Sequence, residues 1–541
     1  MATESVFTCT ILPCVRAQDF ILRIACRIDL TALSYAEGAS WNPSRGCLYP
    51  TRRALLDDIW QWINAADTTK TAEILWLTSE AGAGKSAVAH TVAKHCYEQG
   101  LLASSFFFDR ETAGRNGPQK LFSTIARDLA NLSVELAEQV SLAIDRDQSI
   151  TTAAPSRQFK NLILDLSRWY PTPSRRPVVI VIDALDEGYD NDLLQILQYE
   201  VPKLPGCFRI FITSRTDKAI VVSLSKQAHV QSRVIDIHEQ TNLEDIAVYV
   251  NYKLSEVAKW AEMGNDWPGE SLSNSLTTRA EGLFIWVATV CDYLCHVIDP
   301  TEQLASLVSN HSPTGRPAEA KMDELYLTIL KTCNWDDEAF VNGYHILMGA
   351  IMAAKTPLSA SALQSLHRAS MFLPVSKVLS SLSPLLAGLM DHTQPVRILH
   401  LSFRDFLTAR AQTSPDCKKF YLDEVKHSQR LAFLCLVVLN QDLKPGMSGT
   451  GYIDGTVSEL REIPASHISE ELWYACQFWI DHIIDVETPV TDLIDVLRKF
   501  LSTQVVLWME IMTSKGRFRK LLEVRQWLQV RIANSISPAI I

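Results

Sequence analysis

The residues with the clearest chemistry form a glycine-rich segment at positions 79–86, which reads Ser-Glu-Ala-Gly-Ala-Gly-Lys-Ser. Gly82 and Gly84 allow the backbone to turn tightly and to direct its N–H groups at an anion. Lys85 can reach the terminal phosphates of a nucleotide, and Ser86 can supply a hydroxyl ligand to Mg²⁺. These residue types, in this order, predict a phosphate-binding loop.

The segment has the neighbours that such a loop requires. The apolar residues 74–78 precede it as a predicted strand, and a helical pattern over residues 87–97 follows it. The N-terminus of that helix adds the positive end of its dipole. The predicted phosphate-binding residues are Ser79, Glu80, Ala81, Gly82, Ala83, Gly84, Lys85, Ser86 and Ala87.

The first position of the segment departs from the phosphate-loop motif, which begins with glycine where this chain has Ser79. A serine can serve there if its backbone φ is negative. Two alternatives therefore stay open. Either nucleotide binding is weakened but retained, or a partly degenerate loop supports a non-catalytic scaffold for protein interactions.

A second set of charged residues lies at the end of a near-continuous apolar strand at residues 177–183, a pattern typical of a parallel strand buried on both faces. Asp183 ends this strand and is predicted to hold Mg²⁺ opposite Ser86. Asp186 and Glu187 follow, and either of them can polarise an attacking water molecule. The alternative is that both acids only cap the helix that comes next.

Arg215 is the last residue of a further buried strand predicted at residues 209–215, which ends in three polar residues. Its guanidinium is predicted to sense a γ-phosphate, and the alternative is an arginine of a surface loop. Strands that alternate with helices predict a parallel α/β sheet. Ligands lie beyond the carboxyl ends of such strands, so we expect Lys85, Asp183 and Arg215 to converge. Further strands are predicted at residues 105–109 and, as a last edge strand, at residues 234–237.

Patterns along the chain predict five regions. A helical lead-in occupies residues 1–46 and the α/β phosphate-binding domain residues 47–240. An all-α domain follows at residues 241–335. Helices and a hairpin with arms near residues 385–390 and 396–399 suggest a winged-helix-like domain at residues 336–412. A helical region at residues 413–541 ends the chain.

Composition narrows the class of protein. The 541 residues are 47% hydrophobic and 21% charged, values typical of a globular protein. The 12 cysteines are scattered, which predicts reduced thiols in a cytoplasmic protein. The net charge is −10, and the predicted hairpin turn at residues 391–395 holds no Lys or Arg. We therefore expect neither nucleic acid nor a membrane among the partners.

The order of these motifs resembles the NACHT family of STAND P-loop ATPases in its fungal form, of the nephrocystin-3-like N-terminal type. The resemblance extends over about residues 45–410. The residues that carry it are Cys47, Thr51 and Arg52, the strand and loop at 74–86, residues 179–187, 212–215 and 281–286, and the segment at 400–407.

The resemblance implies a P-loop α/β domain followed by a helical domain, a winged helix and a helical C-terminal region. It also implies a switch that binds ATP or ADP with Mg²⁺, hydrolyses ATP slowly and forms a homo-oligomer in its ATP state, with unknown protein partners. His400 matches a family histidine that touches the β-phosphate of ADP, whereas its spacing alone is that of a core histidine on an amphipathic helix. The segment 282–284 lacks the proline that many relatives carry.

Overall fold

The computed structural model describes residues 30–65, 73–169, 176–309, 317–368, 375–389, 391–453, 463–516 and 521–532. The chain divides into two compact units, Met1–Ala288 and Thr289–Ile541. The strands of the first unit are β1 (Glu73–Thr78), β2 (Leu102–Phe107), β3 (Val178–Asp183), β4 (Phe208–Ser214) and β5 (Val230–Val234). They form one sheet in the order β2-β3-β4-β1-β5, and every neighbouring pair is parallel.

Nine α-helices lie within the described part of the first unit. They are α1 (Arg53–Asn64), α2 (Lys85–Glu98), α3 (Leu121–Ala130), α4 (Val134–Arg146), α5 (Pro155–Phe159), α6 (Asn191–Gln195), α7 (Lys218–Leu224), α8 (Gln240–Trp260) and α9 (Glu270–Ala280). A tenth helix, α10 (Phe284–Leu294), begins in this unit.

The core of the first unit lies on both faces of the sheet, because side chains alternate between the faces along each strand. Trp76, Ile180 and Ile210 point to one face and share a core with residues of α3 and α6. Val181 and Phe211, which point the other way, are also buried. Helix α2 contacts β2, β3 and β4. The predicted parallel sheet with flanking helices is therefore confirmed.

The strand limits differ from the predicted ones at the two edges of the sheet. β2 begins and ends a little earlier than the predicted 105–109, and β5 covers residues 230–234 rather than 234–237. In β5 the side chains of Gln231, Ser232 and Arg233 are exposed. An edge strand tolerates such polar residues, so it lacks the apolar pattern on which the prediction relied.

The predicted helical lead-in lies largely outside the described residues, which begin at residue 30. Residues 30–46 contain turns and a single 3-10 turn, Pro43–Arg45, instead of an α-helix. The side chain of Asn42 accepts a hydrogen bond from the N–H of Ser44 at the start of this turn. The prediction is corrected for this part, because residues 43–46 (Pro-Ser-Arg-Gly) favour a turn.

The described part of the second unit is mainly helical. Its helices are α11 (Pro300–Ser309), α12 (Ala318–Lys331), α13 (Glu338–Ala353), α14 (Ala360–Leu366), α15 (Val375–Ser381), α16 (Leu401–Thr408), α17 (Glu424–Asp442), α18 (Glu470–Ile484), α19 (Thr491–Thr503), α20 (Val505–Ser514) and α21 (Leu522–Ile532). Within the described ranges, none of the chain's helices combines the length and the apolar character needed to cross a membrane.

The predicted hairpin is present in the second unit but is shorter than expected. β6 (Leu386–Ala387) pairs antiparallel with β7 (Arg397–Ile398). An isolated bridge joins Ser359, just before α14, to Pro395. Met390, the end of one predicted arm, lies outside the described residues.

A ring of buried and half-buried polar groups joins the end of α13 to α17 and α18. The backbone N–H of Lys355 donates to the Tyr474 hydroxyl (3.1 Å), which lies 2.7 Å from Nε2 of His482. Nδ1 of His482 is 2.8 Å from the Ser428 hydroxyl, and that hydroxyl donates to Asp485. Nζ of Lys355 donates to the same carboxylate and closes the ring. Burial lowers the pKa of His482 to about 3, so the imidazole is neutral.

Candidate functional site

The glycine-rich loop joins β1 to α2 and has the backbone of an anion-binding turn. Gly82 and Gly84 have φ values of 84° and 89°, which glycine adopts without strain. Among the described residues, positive φ at a non-glycine position occurs at Arg52, Ala184, Glu262 and Glu281, and therefore not at Ser79. The condition under which a serine can replace the first glycine is thus met.

The start of α2 offers unpaired donors to this turn. The first N–H groups of any α-helix have no intrahelical acceptor, and those of α2 begin at Lys85. The residue before the helix is Gly84, which has no side chain to cap them. Donors and helix dipole together therefore suit an anion such as a phosphate.

The Lys85 ammonium lies over its own loop. Nζ donates to the carbonyl oxygens of Ser79 (3.0 Å) and Glu80 (2.8 Å) and lies 3.2 Å from Oγ of Ser79. Burial lowers the pKa of Lys85 to about 8, and Asp186 is the acid that opposes this effect most. Lys85 is thus a half-buried cation whose nearest acceptors are three oxygens of the loop.

Asp183 ends β3 and is buried beside α2. Its carboxylate accepts a hydrogen bond from Oγ1 of Thr213 (2.5 Å) and is also hydrogen-bonded to Ser86. Burial raises the pKa of Asp183, and these two hydroxyls oppose the rise. Thr213, to which the sequence assigned no role, therefore fixes the carboxylate from β4. The only signal for it was its place in the polar end of that strand.

Asp186 and Arg215 meet although β4 and the turn after β3 are far apart in the chain. Oδ1 of Asp186 accepts from the backbone N–H of Arg215 (2.8 Å), and Oδ2 lies 3.5 Å from Nε of the same residue. The Asp186 side chain is 9% exposed and that of Arg215 is 27% exposed. The predicted convergence of Lys85, Asp183 and Arg215 at one edge of the sheet is therefore observed in the geometry, and the charge of Asp186 acts on both cations.

Glu187 lies on the same 3-10 turn, Leu185–Glu187, which follows Ala184 in a left-handed conformation. Its Oε2 accepts from the backbone N–H of Arg110, in the loop after β2 (3.3 Å). Burial, together with the charge of Asp186, raises the pKa of Glu187 to about 8. Neither acid caps the next helix, α6, because the capping side chain there is Asp190.

Arg52 makes a contact with the glycine-rich loop that was not predicted from the sequence. Its Nη2 donates to the carbonyl of Ala83 within the loop (2.7 Å), and its guanidinium stacks on the ring of Phe284 at 4.8 Å. Its backbone N–H donates to Asp245 on α8. Arg52 is 6% exposed. It therefore braces the phosphate loop from the side of α1.

The start of α10, together with the residues just before it, also lies on the loop. The N–H of Ile285 donates to the carbonyl of Gly82 (3.2 Å), and a Cβ built on Gly82 would be 2.0 Å from Cγ2 of Ile285. Asn242 of α8 anchors this segment through a hydrogen bond from Nδ2 to the carbonyl of Gly282 (3.0 Å). No local pattern signals this contact, because its partners are distant in the chain.

His400 belongs to the second unit, where it caps α16. Its Nδ1 accepts from the N–H of Ser402 (3.2 Å), and its side chain is half-buried instead of being a core residue. A neutral ring that accepts at Nδ1 carries its proton on Nε2, which is then a donor. The predicted contact of His400 with a phosphate stays a prediction.

We predict that Gly82→Ala lowers the free energy of unfolding more than Gly84→Ala does. Both changes place alanine at a positive φ, which costs roughly 1–2 kcal/mol. Only at Gly82 does the new methyl meet a neighbour, since the nearest atom at Gly84 is a Phe284 carbon at 4.0 Å. Overpacking adds about 1–3 kcal/mol. Urea unfolding of the two variants measures the difference.

The double variant Gly82→Ala/Ile285→Ala identifies the source of that difference. Removing the Ile285 methyl groups should recover part of the loss, so the two changes are not additive. Equal destabilisation at the two glycines, or full additivity in the double variant, would contradict the contact between the loop and Ile285.

We predict that Glu187→Gln gains stability relative to the natural chain as pH rises from 5 to 8. The pKa of Glu187 is about 8 in the folded protein, against 4.5 for a free glutamate. Below pH 4.5 the carboxyl is protonated in both the folded and the unfolded chain, so the stability that depends on this proton is fully present. As the pH rises towards 8, the unfolded chain releases the proton before the folded chain does, and the free energy of unfolding falls. Glutamine keeps the hydrogen-bond acceptor and has no such proton. The advantage should grow by up to about 1.4 kcal/mol per pH unit.

Urea unfolding at several pH values measures this advantage, with Glu138→Gln as the control. Glu138 is an exposed glutamate of α4 in the same unit. Its replacement should give a difference that does not change with pH. A Glu187→Gln curve parallel to that of the natural chain would show that this carboxyl is charged in the folded protein.

Comparison with known proteins gives a family match to the part of the chain that contains the candidate site. The family model described as "Nephrocystin 3, N-terminal" matches residues 51–215, which is less than half of the chain. The matched residues include α1, the phosphate loop, both acids and Arg215. Among curated proteins, none matches the chain.

Several solved structures are similar to the chain at low identity. The "Structure of Drosophila ORC bound to DNA" is 12% identical, with 66% of this chain and 94% of that chain covered and a TM-score of 0.29. The "Structure of Drosophila ORC bound to AT-rich DNA and Cdc6" is also 12% identical, with 99% and 74% covered and a TM-score of 0.24.

These structures contradict the prediction that nucleic acid is not a partner, because each of them is a complex that contains DNA. The prediction relied on the net charge and on one turn, and both leave the charge of other surfaces undetermined. The exclusion is corrected, and at these TM-scores the likeness assigns no ligand to this chain. The family match and the fold together support a P-loop NTPase type, with an α/β domain followed by a helical part.

Proposed function

We propose that this chain is a nucleotide-binding molecular switch of the NACHT type of STAND P-loop ATPases, in its fungal form, acting in intracellular signalling. In this proposal it binds ATP or ADP with Mg²⁺, hydrolyses ATP slowly and self-associates under nucleotide control. The observation that supports it most is the convergence of Lys85, Asp183, Asp186, Glu187 and Arg215 at the carboxyl edge of one parallel sheet.

The residues fit a magnesium nucleotide in their chemistry. A phosphate suits the turn at Gly82 and Gly84, the uncapped start of α2 and the Lys85 ammonium. The Ser86 hydroxyl and the Asp183 carboxylate, already hydrogen-bonded to each other, would hold Mg²⁺ together with the phosphates. The described residues contain no cluster of three or more His, Cys, Asp or Glu side chains that could hold a metal alone. A bound Mg²⁺ would supply charge stabilisation at the phosphates.

The proposal extends to the second unit, where residues 336–412 are assigned as a winged-helix domain. The order of α13, α14, α15 and the β6–β7 hairpin, with the bridge from Ser359 to Pro395, supports this assignment. His400, whose Nε2 is a donor, is the residue we assign to the β-phosphate of ADP. The other proposed regions keep the limits 1–46, 47–240, 241–335 and 413–541.

A non-catalytic scaffold is the second candidate, and one contact favours it. The Lys85 ammonium already has three oxygen neighbours in its own loop, so a ligand must replace them. A loop whose own oxygens accept the hydrogen bonds of its lysine would fold equally well without a nucleotide. The two candidates differ in whether the purified chain binds a nucleotide at all.

We predict that Lys85→Ala abolishes binding of ATP and ADP to the purified protein with Mg²⁺. The ammonium is the positive charge that the loop itself carries, and its loss removes a contact worth roughly 1.5–3 kcal/mol, or more when buried. Isothermal titration measures the affinity. Lys94→Ala is the matched control, because Lys94 lies on the same helix with a side chain that is 48% exposed.

Lys94→Ala should bind as the natural chain does. Equal affinity of the natural chain and Lys85→Ala would reject the switch, and absence of binding by the natural chain would favour the scaffold.

We also predict that the protein sediments as a larger assembly with ATP and Mg²⁺ than with ADP. A switch changes its association only if the nucleotides bind its two states with different affinities. Sedimentation velocity at one protein concentration makes the comparison, and Lys85→Ala should show no difference between the nucleotides. Identical profiles of the natural chain in ATP and ADP would argue against nucleotide-controlled self-association.

A further inference from the structure

We propose that the Ser79 hydroxyl competes with a nucleotide phosphate for one N–H of the Lys85 ammonium. The inference rests on the proposed function and concerns the regulation of that site. It predicts that the natural chain binds ATP and ADP more weakly than a chain with alanine or glycine at this position. It also gives a role to the position at which the loop departs from the phosphate-loop motif.

The number of donors on the Lys85 ammonium is the first step. An ammonium has three N–H donors. Within the described part of the chain, three loop oxygens lie within hydrogen-bond distance of it. They are the carbonyl oxygens of Ser79 (3.0 Å) and Glu80 (2.8 Å) and Oγ of Ser79 (3.2 Å). A phosphate can therefore accept a hydrogen bond from this ammonium only by displacing at least one of the three oxygens.

The three oxygens differ in how easily they are displaced. Two are backbone carbonyl oxygens, which any residue at position 79 would supply. The third belongs to a hydroxyl that turns about one side-chain bond, and glycine lacks it. The φ of Ser79 is not positive, so the effect of the serine on the loop lies in its side chain. The hydroxyl is thus the acceptor that a phosphate would replace.

The hydroxyl of Ser79 is held as an acceptor for Lys85. Its own proton goes to the carbonyl of Glu80 at 3.1 Å, which leaves its lone pairs for the ammonium. Ser79 is 2% exposed, so a hydroxyl that turned away would lose the lysine where water has little access to replace it. Binding of a nucleotide therefore carries the cost of breaking this contact.

The test compares Ser79→Ala with the natural chain in the full-length protein. Removal of the hydroxyl alone should tighten the binding of ATP and of ADP with Mg²⁺ by roughly threefold to tenfold, the scale of one exchanged hydrogen bond. The same change should lower the midpoint of urea unfolding without nucleotide, because two hydrogen bonds of the hydroxyl are lost. Isothermal titration and urea unfolding measure the two effects. A merely structural role would lower stability without tightening the binding.

Further variants separate the hydrogen bond from packing. Ser79→Cys nearly keeps the size of the side chain, but its sulfur is a weak acceptor, so it should bind nucleotides as Ser79→Ala does. Ser79→Gly restores the motif and should also bind more tightly than the natural chain. Ser105→Ala is the matched control, because Ser105 is a buried serine of β2 whose Oγ accepts from the N–H of Trp41 (3.1 Å). It should lose stability and keep the natural affinity.

Two outcomes would overturn the inference while nucleotide binding itself stands. These are unchanged or weaker binding in Ser79→Ala, and binding by Ser79→Cys equal to that of the natural chain. Binding by Ser79→Gly but not by the natural chain would support the inference. Failure of the proposed function looks different, since neither the natural chain nor any variant at position 79 would then bind a nucleotide, and the inference would be rejected with it.

Discussion

The hydrogen-bonded register of β4 with its two neighbours is the constraint on which the site depends. Ile212 pairs with Trp76 of β1 on one side and with Ile182 of β3 on the other, so the three strands end at the same level. A slip of one residue would turn the side chains of a strand to the opposite face. Since both faces are buried, the core fixes the register and, through it, the place of the Arg215 and Asp183 side chains.

Burial then determines the electrostatics of this edge. Desolvation disfavours the charged forms of Lys85, Asp183 and Glu187 and shifts their pKa values accordingly. Burying a single charge is costly, and opposite charges brought together reduce this cost. Three carboxyl groups and two cations therefore lie together where one alone would be unstable. An added cation and an added anion would both find partners in such a cluster, which is what a metal phosphate requires.

The parts of the site that could be predicted from sequence are those that local patterns encode. The apolar runs of β1, β3 and β4, the two glycines and the charged residue after each strand lie within short segments. The contacts of Arg52 with Ala83, of Thr213 with Asp183 and of Ile285 with Gly82 join segments that only the fold brings together. The edge strand β5 lies at residues other than those predicted, because its exposed polar residues have no apolar periodicity. Sequence patterns therefore do not predict contacts between segments that are distant along the chain, and they do not fix the limits of an exposed strand.

The polar ring in the second unit has a further consequence, because its hydrogen bonds can run in one direction only. The Asp485 carboxylate accepts from the Ser428 hydroxyl, so the serine oxygen must accept from Nδ1 of His482. The neutral imidazole then carries its proton on Nδ1, and its Nε2 accepts from the Tyr474 hydroxyl, whose oxygen accepts from the N–H of Lys355. A carboxylate has no proton to donate, so this one group dictates the tautomer and the rotors around the ring. The two long helices α17 and α18 are therefore joined by a circuit with a fixed polarity.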